Sequence, residues 1–220
     1  MSDNHYVVGI AGGSASGKTS FLRRLKENLP EGSISIISQD NYYKPQEQQQ
    51  LDENGEVNYE LPTSIDKEAF LGDLKALLND CPINITEYCF NKEGAVPESI
   101  EIQPAKILVV EGLFVFHYPE IRHLIDLRVY LDVREEIKLK RRIKRDRDER
   151  GYPESVVRYQ WENHVMPSYK KFLKPYRDDS HIIVTNNITF DKGLAVLTDH
   201  LHYRLEKDLI RESKTEGLIG

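Results

Sequence analysis

Near its start the chain reads Gly12-Gly13-Ser14-Ala15-Ser16-Gly17-Lys18-Thr19, a stretch that fits GxxxxGK[ST] and limits the fold more than anything else in the sequence. The chemistry of this pattern needs a particular setting. Glycines let successive backbone N–H groups turn inward around phosphate oxygens, and a helix that begins where the loop ends adds partial positive charge. Lys18 can then reach the outer phosphates of a nucleotide and Thr19 can offer its hydroxyl to Mg²⁺. The phosphate-contacting set therefore runs from Gly12 and Gly13 through Ser14, Ala15, Ser16 and Gly17 to Lys18, Thr19 and Ser20. Before it, His5 to Ile10 is a β-branched apolar run, which reads as a strand buried on both faces. After it, Phe21, Leu22, Leu25 and Leu29 fall at helical spacing, and Pro30 and Gly32 stop a helix expected over Lys18 to Leu29.

A second apolar run, SISIIS, completes a βαβ unit, and KILVV before Glu111, LRVYLDV around Tyr130 and HIIV from His181 supply three more strands between helical patterns. The chain is expected to be α/β, with five parallel strands flanked by helices in one domain over residues 1–220. An insertion at about 45–104 breaks the rhythm. It holds a glutamine-rich stretch (Gln46 to Gln50) read as a solvated loop, a helix over Asp66 to Leu78, and two short runs, INITEYCF and SIEIQ, that can pair as a hairpin. A final helix is expected over about Leu194 to Leu209.

Ligands of parallel sheets bind beyond the carboxyl ends of the strands. The second and third runs exit at Asp40 and Glu111. Asp40 can take the proton from an attacking hydroxyl, hold a metal-bound water, or do both. Glu111, ahead of Gly112, is the acid expected to meet Mg²⁺ directly or through water. The segment Lys138 to Arg150 carries eight Lys or Arg against three acids. Arg142 and Arg145 share a helix face, and Arg150 stands at the helix end before Gly151 and Pro153. Such arginines on a closing lid, at about 134–160, can stabilise charge spread over a transferring phosphoryl group and exclude water.

The same features limit the alternatives. A formal charge of −6 argues against a general nucleic-acid coat. No window approaches the roughly 18 consecutive apolar residues of a membrane span. Met1 leads into a polar segment without the pattern of a secretory signal, and Cys81 and Cys89 are too few for a disulfide framework, so a cytoplasmic protein with reduced thiols is expected. The phosphate loop alone does not separate a kinase from a GTPase, a motor or a switch.

With GGSASGKTS, SQDNYYK, VVEGLF and RRIKRDRDERG in this order, the chain resembles uridine kinases of the uridine kinase and phosphoribulokinase family over about His5 to Asn187. The resemblance implies a P-loop NTPase fold with a β-hairpin insertion and a helical lid, a homo-oligomer, and transfer of phosphate from ATP (or GTP) with Mg²⁺ to a nucleoside 5′-hydroxyl in pyrimidine salvage. It makes Asp40 the base, with Lys18, Arg145 and Arg150 at the transferring phosphate. It also makes Thr19, Asp40 and Glu111 the metal neighbours. Tyr43, Tyr59, Glu60, Tyr88, Phe90, Arg142 and Gln160 match acceptor-contacting positions. The acceptor end also departs from the pattern. Tyr59-Glu60-Leu61-Pro62 stands where Phe-Asp-His-Pro is usual, Cys89 replaces an aspartate, Glu93 a base-reading histidine, and Tyr152 an arginine. These changes predict poor uridine turnover. A non-nucleoside acceptor, or a nucleotide switch with no acceptor, stays open.

Overall fold

A computed structural model describes residues 5–88 and 97–216, those from 208 on by their backbone alone. The sheet grows from alternation of apolar side chains. In β1 (Tyr6–Gly12), Val7 and Ala11 enter one core, while Val8 and Ile10 enter another on the opposite face. Both faces are covered, so the strand reads as a continuous apolar run. The same holds for β2 (Ile34–Ser38), β7 (Ile107–Gly112) and β8 (Leu127–Asp132), while the edge strand β9 (Ile182–Thr185) buries only the face of Ile182 and Val184 and leaves Ile183 exposed; all four join β1 in one parallel sheet of order β2-β7-β1-β8-β9.

On one face, α1 (Lys18–Glu27) and α7 (Asp191–Glu216) pack Phe21, Leu22, Leu25, Leu194, Leu197 and Leu201 against Val8, Ile10, Val109 and Val129. Each fully buried Leu or Phe here contributes about 1.5–3 kcal/mol over leaving it in water. On the other face, which also buries Ile121 of the short α3 (Pro119–Arg122), lies α2 (Lys67–Leu78), capped by the Asp66 carboxylate accepting from the Ala69 N–H. It shares a core with the helical stretch after α4 (Glu135–Arg150), through Phe70, Leu74, Trp161, Val165 and Tyr169. That stretch comprises α5 (Glu154–Gln160), α6 (Met166–Ser168) and the π-helical turns Trp161–Val165 and Tyr169–Leu173.

The expected insertion hairpin is present as β5 (Ile83–Thr86) paired antiparallel with β6 (Ser99–Ile102). A smaller antiparallel pair, β3 (Gln50–Leu51) with β4 (Val57–Asn58), was not anticipated. The glutamine run also differs from a solvated loop. Gln49 is buried, and its amide donates to the carbonyls of Lys44 (2.7 Å) and Ser64 (3.2 Å). The helix after the phosphate loop ends at Glu27 rather than Leu29, with Asn28 as its cap. The last helix starts at Asp191 and runs to Glu216, longer than its apolar spacing indicated.

Candidate active site

The phosphate loop leaves β1 at the centre of the sheet, between β7 and β8, so its neighbours are the strand exits on either side. Its turn is built from residues that tolerate unusual backbone: Gly17 has φ 96°, and a methyl group there would lie 2.6 Å from Asn186 Nδ2. No side chain caps α1, whose first N–H groups lie at the loop as an anion site requires. Lys18 Nζ donates to the Gly12 carbonyl across the loop, 3.1 Å away. From 170 residues downstream, the buried Asn186 donates to the Ser16 carbonyl (2.9 Å) and accepts on its own carbonyl from Arg141 Nη2 (2.9 Å).

A cleft of about 440 Å³ opens over this loop. Its walls bring together Ser14 to Ser20, Asp40, Tyr43, Glu60, Glu111, Arg142, Arg145 and Arg150, residues spread across most of the chain. Leu113, Arg141 and Glu149 also line it and were not anticipated. Gly12 and Gly13 form the approach to the loop, and no atom of theirs lines the cleft.

Asp40 and Glu111 are joined through Ser38 at the end of β2. Its hydroxyl donates to Glu111 Oε1 (2.5 Å) and accepts from the Asp40 N–H (3.2 Å). Glu111 is buried, and it forms no ion pair among the described residues. Burial, and then the Asp40 charge, push its pKa up to about 7, against an opposing pull from Lys18. Burial also raises Asp40, while Lys18 and Arg150 draw it back down. Thr19, Asp40 and Glu111 form an all-oxygen set whose two carboxylates repel one another. This fits Mg²⁺, which takes few protein ligands and keeps water or phosphate oxygens in its other positions.

Opposite the loop, Arg142 is 6% exposed and ties the two ends of the cleft together. Its Nη1 donates to Glu60 Oε1 (2.6 Å) and Ser14 Oγ (2.9 Å), and its Nη2 donates to Gln160 Oε1 (3.3 Å). Tyr43 sits beside Asp40 and Glu60, and burial followed by those charges holds its phenol well above the usual range. Its ring meets Tyr59 at 6.1 Å and Tyr88 at 5.3 Å between centroids. Burial raises the phenols of Tyr59 and Tyr88, and the nearby Tyr152 adds to both shifts. Phe90 lies outside the described residues, as do Cys89 and Glu93.

The sequence profile of the Phosphoribulokinase / Uridine kinase family matches residues 7–191, which includes every element around the cleft. The chain belongs to this family. A uridine kinase of Lactobacillus helveticus is 34% identical over 196 residues, 89% of this chain and 93% of that protein. One from Staphylococcus epidermidis is 30% identical over 201 residues, 91% and 97% respectively. The solved structure of phosphoribulokinase from Rhodobacter spheroides superimposes with a TM-score of 0.61 at 15% identity, covering 84% of this chain and 71% of that one, and so shares its fold.

Within this phosphoribulokinase and uridine kinase framework, one residue that sequence reasoning passed over organises the basic segment. Asp146, 1% exposed, pairs with Arg145 (2.8 Å), Arg142 (3.2 Å) and Arg150 (3.3 Å). The Arg142 contact is off line for a hydrogen bond and acts as an ion pair only. Spacing of i±4 from Asp146 to Arg142 and Arg150 was the available signal, but many solvent-facing helices show the same spacing.

Proposed function

We propose that this protein transfers the γ-phosphoryl group of Mg·ATP to a hydroxyl of a small metabolite, foremost a nucleoside 5′-hydroxyl. The observation that carries this reading is the placement of Asp40 in one cleft with the phosphate loop, Lys18, Arg145 and Arg150. Asp40 accepts the proton of the attacking hydroxyl, and the raised basicity that burial gives it suits that task. Lys18 and the two arginines face the charge that spreads over the transferring group. Thr19, Asp40 and Glu111 would hold Mg²⁺, which neutralises β- and γ-phosphate charge when bound. Tyr43, Tyr59 and Tyr88 supply flat apolar walls for an acceptor, with Glu60, Arg142 and Gln160 as its polar contacts.

The acceptor end supports poor turnover of uridine itself. Glu60, Tyr59 and Tyr152 depart from the uridine kinase pattern, and Glu60 is already engaged by Arg142 at 2.6 Å. The family relationship also supports a homo-oligomer acting in the cytoplasm, which light scattering and fractionation test directly. Purified protein incubated with Mg·ATP and a mixture of nucleosides, pentose phosphates and other small alcohols should yield a product heavier by one phosphoryl group in mass spectrometry. Asp40→Asn and Lys18→Ala should each lower the rate by about 10²-fold or more while the unfolding midpoint holds. ATP binding without any phosphorylated product would favour a nucleotide switch, and full transfer by Asp40→Asn would remove the assigned base.

A further inference from the structure

Lys138 lies on α4, outside the cleft just described, yet it is 2% exposed. Its Nζ stands 3.6 Å from the centroid of the Tyr169 ring. The ammonium also lies close to the phosphate loop, on a side that does not line the cleft: a methyl group on Gly13 would lie 3.3 Å from Lys138 Nζ and 3.3 Å from the Tyr169 ring edge. A side chain at Gly13 would therefore crowd this cation and ring, which would have to give by a few tenths of an ångström. Among the described residues this ammonium makes no ion pair, and a buried charge without a counter-charge is costly. The ring face offsets only part of that cost.

The groups around it are unevenly balanced. Glu135 and Asp132 stand beyond ion-pair distance and favour the charged form, Lys174 and Lys18 oppose it, and Tyr169 presents its ring. Burial is the largest influence and draws the lysine's pKa down. Lys18 has Asp40 and Glu111 nearby on the cleft side of the loop, whereas Lys138 has no anion within ion-pair distance among the described residues.

We infer that Lys138 is a positioning residue of the phosphate site, a buried cation behind Gly13 whose missing counter-charge is the polyphosphate of the bound nucleotide. The inference rests on the nucleotide-binding part of the proposed function and is independent of the acceptor. Lys138 acts through the loop: its charge favours the tight curl of backbone around the β-phosphate and adds to the field of Lys18 there. The effect should grow with phosphate count, because a single α-phosphate near the loop's rim gains less than a β-phosphate inside it.

Calorimetric titration of the full chain with Mg·ADP, Mg·ATP and AMP, without any acceptor, tests this. Lys138→Met should weaken Mg·ADP and Mg·ATP by roughly tenfold to thirtyfold and AMP by less than about threefold, since Coulomb attraction across a partly buried site falls with distance. A uniform loss for all three nucleotides, as loop distortion produces, would overturn the inference, and so would unchanged affinities. Should the Met variant fail to fold, Lys138→Gln, which keeps a polar end group, is judged by the same ratios. Failure of wild-type protein to bind Mg·ATP at all would instead sink the proposed function.

Discussion

Two carboxylates at the strand exits, Asp40 and Glu111, show how single residues trade stability for a site. Glu111 has a folded-state pKa of about 7 against an ordinary 4.5. Because the folded value is the higher one, the shift favours folding below the ordinary value and that benefit disappears as pH rises through about 7. Glu111→Gln should therefore stabilise the metal-free protein by about 3 kcal/mol at pH above about 8 and by almost nothing near pH 4. Thermal unfolding across that range measures it, and a gain independent of pH would show that burial of the charge is not the cause. Asp146 presents the opposite case, a buried anion amid three cations. Replacing it by Asn leaves Arg142, Arg145 and Arg150 to repel one another, and should cost about 2–4 kcal/mol and disorient the arginines at the phosphate end. Denaturant unfolding reads the first effect and transfer rate the second. An unmoved midpoint would mean that the cleft walls alone hold the arginines.

Asp52 sets the position of one element on another. Its Oδ1 closes the β3–β4 turn by accepting from the N–H groups of Asn54 and Glu56, both at 2.9 Å. Its Oδ2 accepts from Tyr159 (2.5 Å) and pairs with the buried His164 (2.8 Å), with the Tyr159 contact first among the causes that hold its pKa well below the usual carboxylate range. The insertion is thereby fastened to the stretch that begins at α5 and carries Gln160. Glu60, two residues past β4, and Gln160 both hold Arg142, so the proposed acceptor end rests on this fastening. Asp52→Asn should raise the acceptor KM severalfold and speed hydrogen exchange over 50–58 while leaving the KM for ATP unchanged. A parallel change in both KM values would place the effect in global stability. The glutamine run belongs to the same lesson: Gln49 is polar in sequence yet buried, because two backbone carbonyls of the insertion need its amide.

Across the whole molecule, the cleft gathers residues from 14 to 150 at the carboxyl edge of a sheet whose centre is β1. Ligand binding there engages α1, β2, β7, the insertion and α4 together, so it should stabilise the fold as a unit. Mg·ATP at a hundredfold excess over Kd should add about 2.7 kcal/mol to unfolding, and Lys18→Ala should lose most of that gain. Thermal shift measurements with and without nucleotide decide this, and an equal gain in the variant would place nucleotide elsewhere. By itself the sequence determined the parallel sheet, the phosphate loop, Asp40, Glu111 and the arginine-bearing helix. Those features are written in short segments whose local geometry follows from glycine, apolar alternation and helical spacing. Only the tertiary structure decided that Asp146 is buried among its arginines, that Asn186 props the loop from 170 residues away, that Asp52 fastens the insertion, and that Lys138 stands behind Gly13. Each of these depends on which surfaces the packed helices exclude from water, and a charge on a helix reads the same in sequence whether its face meets solvent or the back of a phosphate loop.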